Sequence, residues 1–277
     1  MSLSINTNRG ATVALQSLNR TNRELDSVQK RVSTGFRVSD AKDDGAAFAI
    51  AQGLRAKVKA YDALNERFAS AVGKLEIHAA AINAMSETTA TMGGILVKLA
   101  DESLSADERA TYGKDYLALR SEIQRLDNQS GNATGFNLLG QAGSYNYFIE
   151  SIQGDRKIIP GMFIANTVYI NANLPTAAPD AATSKTMLAT NGGFREHEKL
   201  VGNAIANIGM YLRSYENDIH FTNIMRDTVQ NAIGTIVDAD LAKDSARMQA
   251  LQIRQQLGTQ TLSIANQAPS AILQLFQ

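Results

Sequence analysis

No proline precedes Pro160, and only Pro175, Pro179 and Pro269 follow it. Proline breaks helix interiors, so the long N-terminal stretch is free to build helices well beyond the usual three or four turns. The apolar rhythm uses that freedom. Ala11, Leu18, Leu25 and Val32 recur every seven residues, with Ala14, Thr21 and Val28 at the offset position. The spacing predicts an amphipathic helix over about 5–32. Leu54, Tyr61, Phe68, Leu75 and Ile82 start a second heptad series, with Val58, Val72 and Ala79 in the offset. It runs to about Ala100, past the polar or small Ser86, Thr89 and Gly93. That predicts a helix of about 55 residues, some 85 Å long at 1.5 Å per residue.

Further along, Ser105 to Glu108 is a capping-box pattern, and Tyr112, Tyr116, Leu119, Ile123 and Leu126 predict a shorter helix ended by SGNATGFN. Tyr145 to Leu174 is rich in β-branched and aromatic residues, with Gly154-Asp155 at a turn position, which predicts one or two hairpins. PTAAPDAATSK, Pro175 to Lys185, reads as a surface loop. Helix resumes after Gly193, with Val201, Ile205, Ile208, Leu212, Tyr215 and Ile219 on one stripe, and falters between Gly234 and Asp240. A last helix is expected over about 241–267, and Pro269 introduces a short apolar end.

The last helix has two stripes. Ala246, Ala250, Ile253, Leu257 and Ile264 make one; Leu241, Met248, Leu251, Leu262 and Ala265 make the other. A two-stranded coiled coil needs a single stripe. A helix apolar on two sides wants partners on two sides, and one of them can be the N-terminal helix. Leu18, Leu25, Val32, Met248, Leu251, Ile253, Leu257, Leu262 and Ile264 are therefore the candidate packing residues.

Net charge is zero and cysteine is absent, so there is neither an electrostatic case for nucleic acid nor any disulfide or thiolate chemistry. No apolar run reaches the roughly 20 residues that span a bilayer, and the N-terminus does not read as a Sec-type signal peptide. His78, His197 and His220 have no metal-ligand spacing around them. Asn128-Gln-Ser130 and Asn132-Ala-Thr134 match the N-glycosylation pattern. No catalytic, cofactor-binding or metal-ligating constellation is present.

Three stretches carry a family resemblance: INTNRGATVALQSLNR (Ile5 to Arg20), VSTGFRVSDAKDDGAAFAIA (Val32 to Ala51) and LQIRQQLGTQTLSIANQAPSAILQLFQ (Leu251 to Gln277). They resemble bacterial flagellin over about 100 N-terminal and 90 C-terminal residues, with the long variable outer domains of that family missing. The resemblance implies a mainly α rod of long coiled-coil helices with a small β-hairpin region mid-chain and paired terminal helices. It implies an inner terminal-helix domain at 1–34 and 241–277, connecting spokes at 35–44 and 234–240, and an outer helical rod at 45–233. In the outgoing spoke, Gly35 permits unusual backbone angles. Asp40, Asp43 or Asp44 caps the next helix, and Arg37 and Lys42 are placed to pair with neighbouring subunits.

The resemblance also implies self-polymerisation into an extracellular flagellar filament after export through the flagellar type III apparatus. The expected partners are an export chaperone, hook-associated junction proteins and a filament cap; neither nucleic acid nor membrane insertion is expected. In flagellins detected by the Toll-like receptor, part of the long helix carries an arginine–glutamate patch. Thr91, Gly93 and Gly94 stand at those positions here, and the two glycines call for local packing, expected between subunits. The rival readings are a hook–filament junction protein and, from another class, a cytoplasmic coiled-coil adaptor.

Overall fold

The computed structural model describes residues 8–135, 138, 145–160 and 173–274, the last seven of these by their backbone only. The elements are α1 (Arg9–Thr34), α2 (Gly45–Leu99), α3 (Ala106–Thr134), β1 (Tyr145–Ile149), β2 (Arg156–Pro160), α4 (Ala181–Leu188), α5 (Gly193–Val237) and α6 (Leu241–Gln274). The chain forms two compact units. One comprises Met1–Val58 with Asp227–Gln277, the other Lys59–Arg226.

The middle unit is built on the heptad stripe of α2. Phe68, Leu75 and Ile82 are buried as the spacing predicts, and the stripe continues through Met85, Met92, Leu96 and Leu99. Tyr116 and Ile123 of α3 and Val201, Ile208 and Tyr215 of α5 close the core. Two of the interruptions of α2, Thr89 and Gly93, face α5. The Thr89 hydroxyl meets His197 Nε2 at 3.3 Å. A Cβ on Gly93 would stand 2.9 Å from the Phe194 ring. Intrachain packing against Phe194, rather than a contact between subunits, thus accounts for that glycine.

Helix α3 begins with the predicted reciprocal box between Ser105 and Glu108. It ends later than the sequence suggests. SGNATGFN is helical through Thr134, and the stop is Gly135, which takes a left-handed φ of 75°. Ser130 and Thr134 are buried, and their hydroxyls return to the carbonyls of Asp127 and Ser130. The glycosylation-like tripeptides therefore lie within a helix.

Strands β1 and β2 pair antiparallel, with Tyr147 opposite Ile158 and Ile149 opposite Arg156. Gly154 takes φ 92° in the predicted turn. The inner face docks on α5 through Ile159, Phe148 and Lys157. The Lys157 ammonium reaches Asp218 at 2.7 Å and Ser214 at 2.6 Å. A second hairpin would fall on 161–172, outside the described residues. The predicted loop Pro175 to Lys185 is loop only to Asp180, whose carboxylate accepts from the Thr183 N–H and starts α4.

In the terminal unit α1 and α6 pair antiparallel: Asn22 meets Gln255 at 2.9 Å, and Glu24 meets Arg247 at 3.6 Å. Gly258 lets them approach, since a Cβ there would sit 3.1 Å from Leu18 Cδ1. Two expected boundaries move. Helix α5 continues through Gly234 to Val237, which reduces the returning link to Asp238–Asp240. Helix α6 runs past Pro269 to Gln274 instead of stopping near residue 267.

Candidate functional site

The two stripes of α6 have different fates. Leu251 is buried, and Met248, Gly258, Leu262 and Ala265 are half-buried on the side that meets α1. Ile253, Leu257 and Ile264, on the other stripe, are 58%, 62% and 60% exposed. On α1, Leu18, Leu25 and Val32 are half-buried, and Val28 is buried. The residues expected to pack on two sides thus separate into a face occupied within the chain and a face left bare. Covering the three bare side chains is worth on the order of 4 kcal/mol.

At one end of this helix pair the two links meet. Phe36 and Asp238 form an antiparallel bridge. The Arg37 and Val38 N–H groups both donate to the Val237 carbonyl, and the Ala239 N–H donates to Gly35. Gly35 ends α1 with φ 75°, a left-handed value that glycine adopts without the Cβ penalty. Val38 is buried with Ala51, Ile233 and Val237 under the links. Phe36 and Val38, apolar at alternate positions in a polar stretch, were the available signal for that anchor.

The aspartates of the outgoing link divide their work. Asp44 caps α2 by accepting from the Ala47 N–H at 3.0 Å. Asp40 accepts from the Lys42 and Asp43 N–H groups. Asp43 accepts from the Ser39 N–H and hydroxyl. Lys30 of α1 ties the link down, reaching Asp40 at 2.7 Å and Asp43 at 2.9 Å. Its ammonium lowers both carboxyl pKa values, helped at Asp43 by the Ser39 donors, and its own pKa rises in return. Arg37 donates to the Ile236 carbonyl within the chain, and Lys42 is exposed. Sequence reading missed Lys30, which precedes Asp40 by ten positions and lies in another element.

In the middle unit, Thr91 and Gly94 are exposed, and Gly93 sits beneath Phe194. Lys98, one turn beyond Gly94, lies over the Tyr112 ring at 4.9 Å. His78 and His197 are buried, and burial pushes the His197 pKa down to about 4. No helix of the described residues is long and apolar enough to cross a membrane.

Two family models match this chain, the bacterial flagellin N-terminal helical region over residues 5–141 and the C-terminal helical region over 198–276. The chain belongs to the bacterial flagellin family. It is similar to flagellin FljK of Caulobacter vibrioides, at 31% identity over 99% of this chain and 98% of that one. It is also similar to a flagellin of Brucella melitensis, at 31% identity over 99% of each. A solved Bacillus cereus flagellin shares 17% identity, covers 56% of this chain and 88% of its own, and has a TM-score of 0.48. In this flagellin-family chain, the match to the N-terminal model includes α1, the outgoing link and α2. The C-terminal model includes most of α5 and α6.

Proposed function

We propose that this chain is the structural subunit of the bacterial flagellar filament, a helical polymer whose rotation propels the cell. Family membership over nearly its whole length supports the filament role. The bare stripe of Ile253, Leu257 and Ile264 carries the reading of how it assembles: a second helix partner, which one chain does not supply, comes from neighbouring copies. In this reading 1–34 and 241–277 form the inner domain, 35–44 and 238–240 the spokes, and 45–237 the outer rod. No residue has a catalytic role. The subunit leaves the cell through the flagellar type III apparatus. It meets an export chaperone on the way, hook-associated junction proteins at the filament base and a cap at its tip.

Electron microscopy of sheared appendages, with mass spectrometry of their main band, tests the proposal. This chain is expected as an abundant filament component. Presence at trace level would favour a hook–filament junction protein, and recovery only from the cytoplasm would overturn the filament reading.

A further inference from the structure

Charge is segregated within the terminal unit. Helices α1 and α6 carry eight basic and three acidic side chains, whereas Gly35–Asp44 and Asp238–Asp240 carry two basic and five acidic ones. The basic excess is concentrated. Arg20, Arg23 and Arg31 of α1 and Arg247 of α6 line one groove of about 250 Å³. Glu24 is its one carboxylate, already engaged by Arg247. Among the described residues, none pairs with the Arg20, Arg23 or Arg31 guanidinium.

The acidic excess is gathered elsewhere. The bridge between Phe36 and Asp238 brings both links to the end where α1 finishes and α6 begins. Asp44, Asp238 and Asp240 are exposed there, and none has an ion-pair partner among the described residues. Arg23 and Arg20 lie about 18–22 Å up the helix from Gly35 at 1.5 Å per residue. That is beyond the reach of the aspartates of their own copy.

We propose that the arginine groove of one copy receives the acidic link of a second copy stacked head to tail upon it. This rests on the filament reading and adds the contact that sets the register between successive subunits. The chemistry fits, because a guanidinium fork takes a carboxylate in paired, charge-assisted hydrogen bonds. The symmetry fits as well. Groove and link are different surfaces, so the contact is heterologous. One end of every stack keeps a free groove and the other a free link, so the contact can propagate as an open helical polymer, whereas an isologous contact closes a dimer.

The test is a double-mutant cycle on full-length monomer added to wild-type filament seeds, read as the concentration left unpolymerised at equilibrium. One variant carries Arg20→Gln and Arg23→Gln. The other carries Asp44→Asn, Asp238→Asn and Asp240→Asn, which removes charge while asparagine keeps the helix caps at Asp44 and Asp240. Circular dichroism confirms that each monomer folds. Each variant is expected to raise the residual concentration about tenfold, and the combined variant no further, because both remove the same contact. The wild-type advantage over each should shrink as sodium chloride is raised. Additive penalties in the combined variant, or a penalty from only one surface, would overturn the pairing while leaving the filament reading intact. Failure of the wild-type chain to extend seeds would instead overturn the filament reading.

Discussion

The side-chain amide of Asn8 donates to the Ala265 carbonyl at 2.7 Å. Ala265 lies four residues before Pro269, which has no N–H to offer that carbonyl. The same Asn8 side chain accepts from the Ala11 N–H and caps α1. One residue thus starts the first helix and supplies the donor that the last helix lacks.

Asn8→Ala should remove both bonds and cost about 1–2 kcal/mol of helix-pair stability. Asn8→Asp should keep the cap but present an acceptor to the Ala265 carbonyl. Hydrogen exchange on assembled filaments separates them. The alanine variant should lose protection at both chain ends, and the aspartate variant mainly in the last turns of α6. Equal protection in all three proteins would contradict this role for Asn8.

The two faces of α6 should respond differently to charge. Leu257 is exposed, so Leu257→Asp should leave the monomer as stable as before and stop filament growth. Leu262 is half-buried against α1, so Leu262→Asp should also weaken the monomer, by about 3 kcal/mol, through burial of a carboxylate without a partner. Chemical denaturation of the monomers and filament length by electron microscopy give the two readouts. Filaments of normal length from Leu257→Asp would remove the assembly role of the bare stripe.

Acid should act in two stages. The folded pKa of His197 is depressed by burial to about 4, against an unfolded value of about 6.5. Its contribution is fully present above the unfolded value and is lost as pH falls toward the folded one, about 3 kcal/mol in all. Asp40 and Asp43 are also depressed, by the Lys30 hydrogen bonds. Their contribution is present above the unfolded carboxyl value near 4 and disappears below it. Thermal melts between pH 7 and 3 should therefore show the middle unit weakening first and the links later. His197→Gln, neutral at every pH, should flatten the first stage; an unchanged profile would exclude His197 as its source.

The adjacent glycines of α2 should behave oppositely. Gly93→Ala drives a methyl group into the Phe194 ring and should destabilise by about 1–3 kcal/mol despite alanine's helix propensity. Gly94 has nothing within 4 Å of a new Cβ, and Gly94→Ala should stabilise by up to about 1 kcal/mol. Thermal denaturation of the two variants measures the contrast, and a stabilised Gly93→Ala would refute the packing account.

The chain should stimulate the Toll-like receptor for flagellin weakly. Thr91, Gly93 and Gly94 offer no fork-shaped donors, and Lys98 is engaged on Tyr112. Losing one arginine anchor from the centre of an interface costs about 2 kcal/mol, or roughly thirtyfold in affinity. A reporter-cell assay beside a flagellin that carries the patch measures it. Equal potency would show that the receptor reads another surface.

What was legible in the sequence was what repeats. The heptads of α2 located Phe68, Leu75 and Ile82 in the core, and the doubled stripe of α6 called for partners on two sides, of which α1 meets one. What was not legible depended on contacts distant in the chain or on backbone angles. Gly93 reads as a flaw in α2 until Phe194 arrives from α5. The Ser130 and Thr134 hydroxyls turn inward to their own helix, so a polar stretch that looks like a breaker stays helical until Gly135.

The antiparallel pairing of α1 with α6 imposes an order of events on the growing chain. Asn8 and Ala265 are separated by 257 positions, and even Asn22 and Gln255 by 233, so only a nearly complete chain supplies the partner that α1 requires. Helix α1 leaves the ribosome first and waits for nearly the whole chain to follow. Loop-closure entropy must be overcome before so remote a contact returns any stability. The middle unit, with its core drawn from nearer neighbours, can settle earlier. The middle unit is complete once Arg226 is made, so it can close while α6 is still missing and α1 is still unpaired.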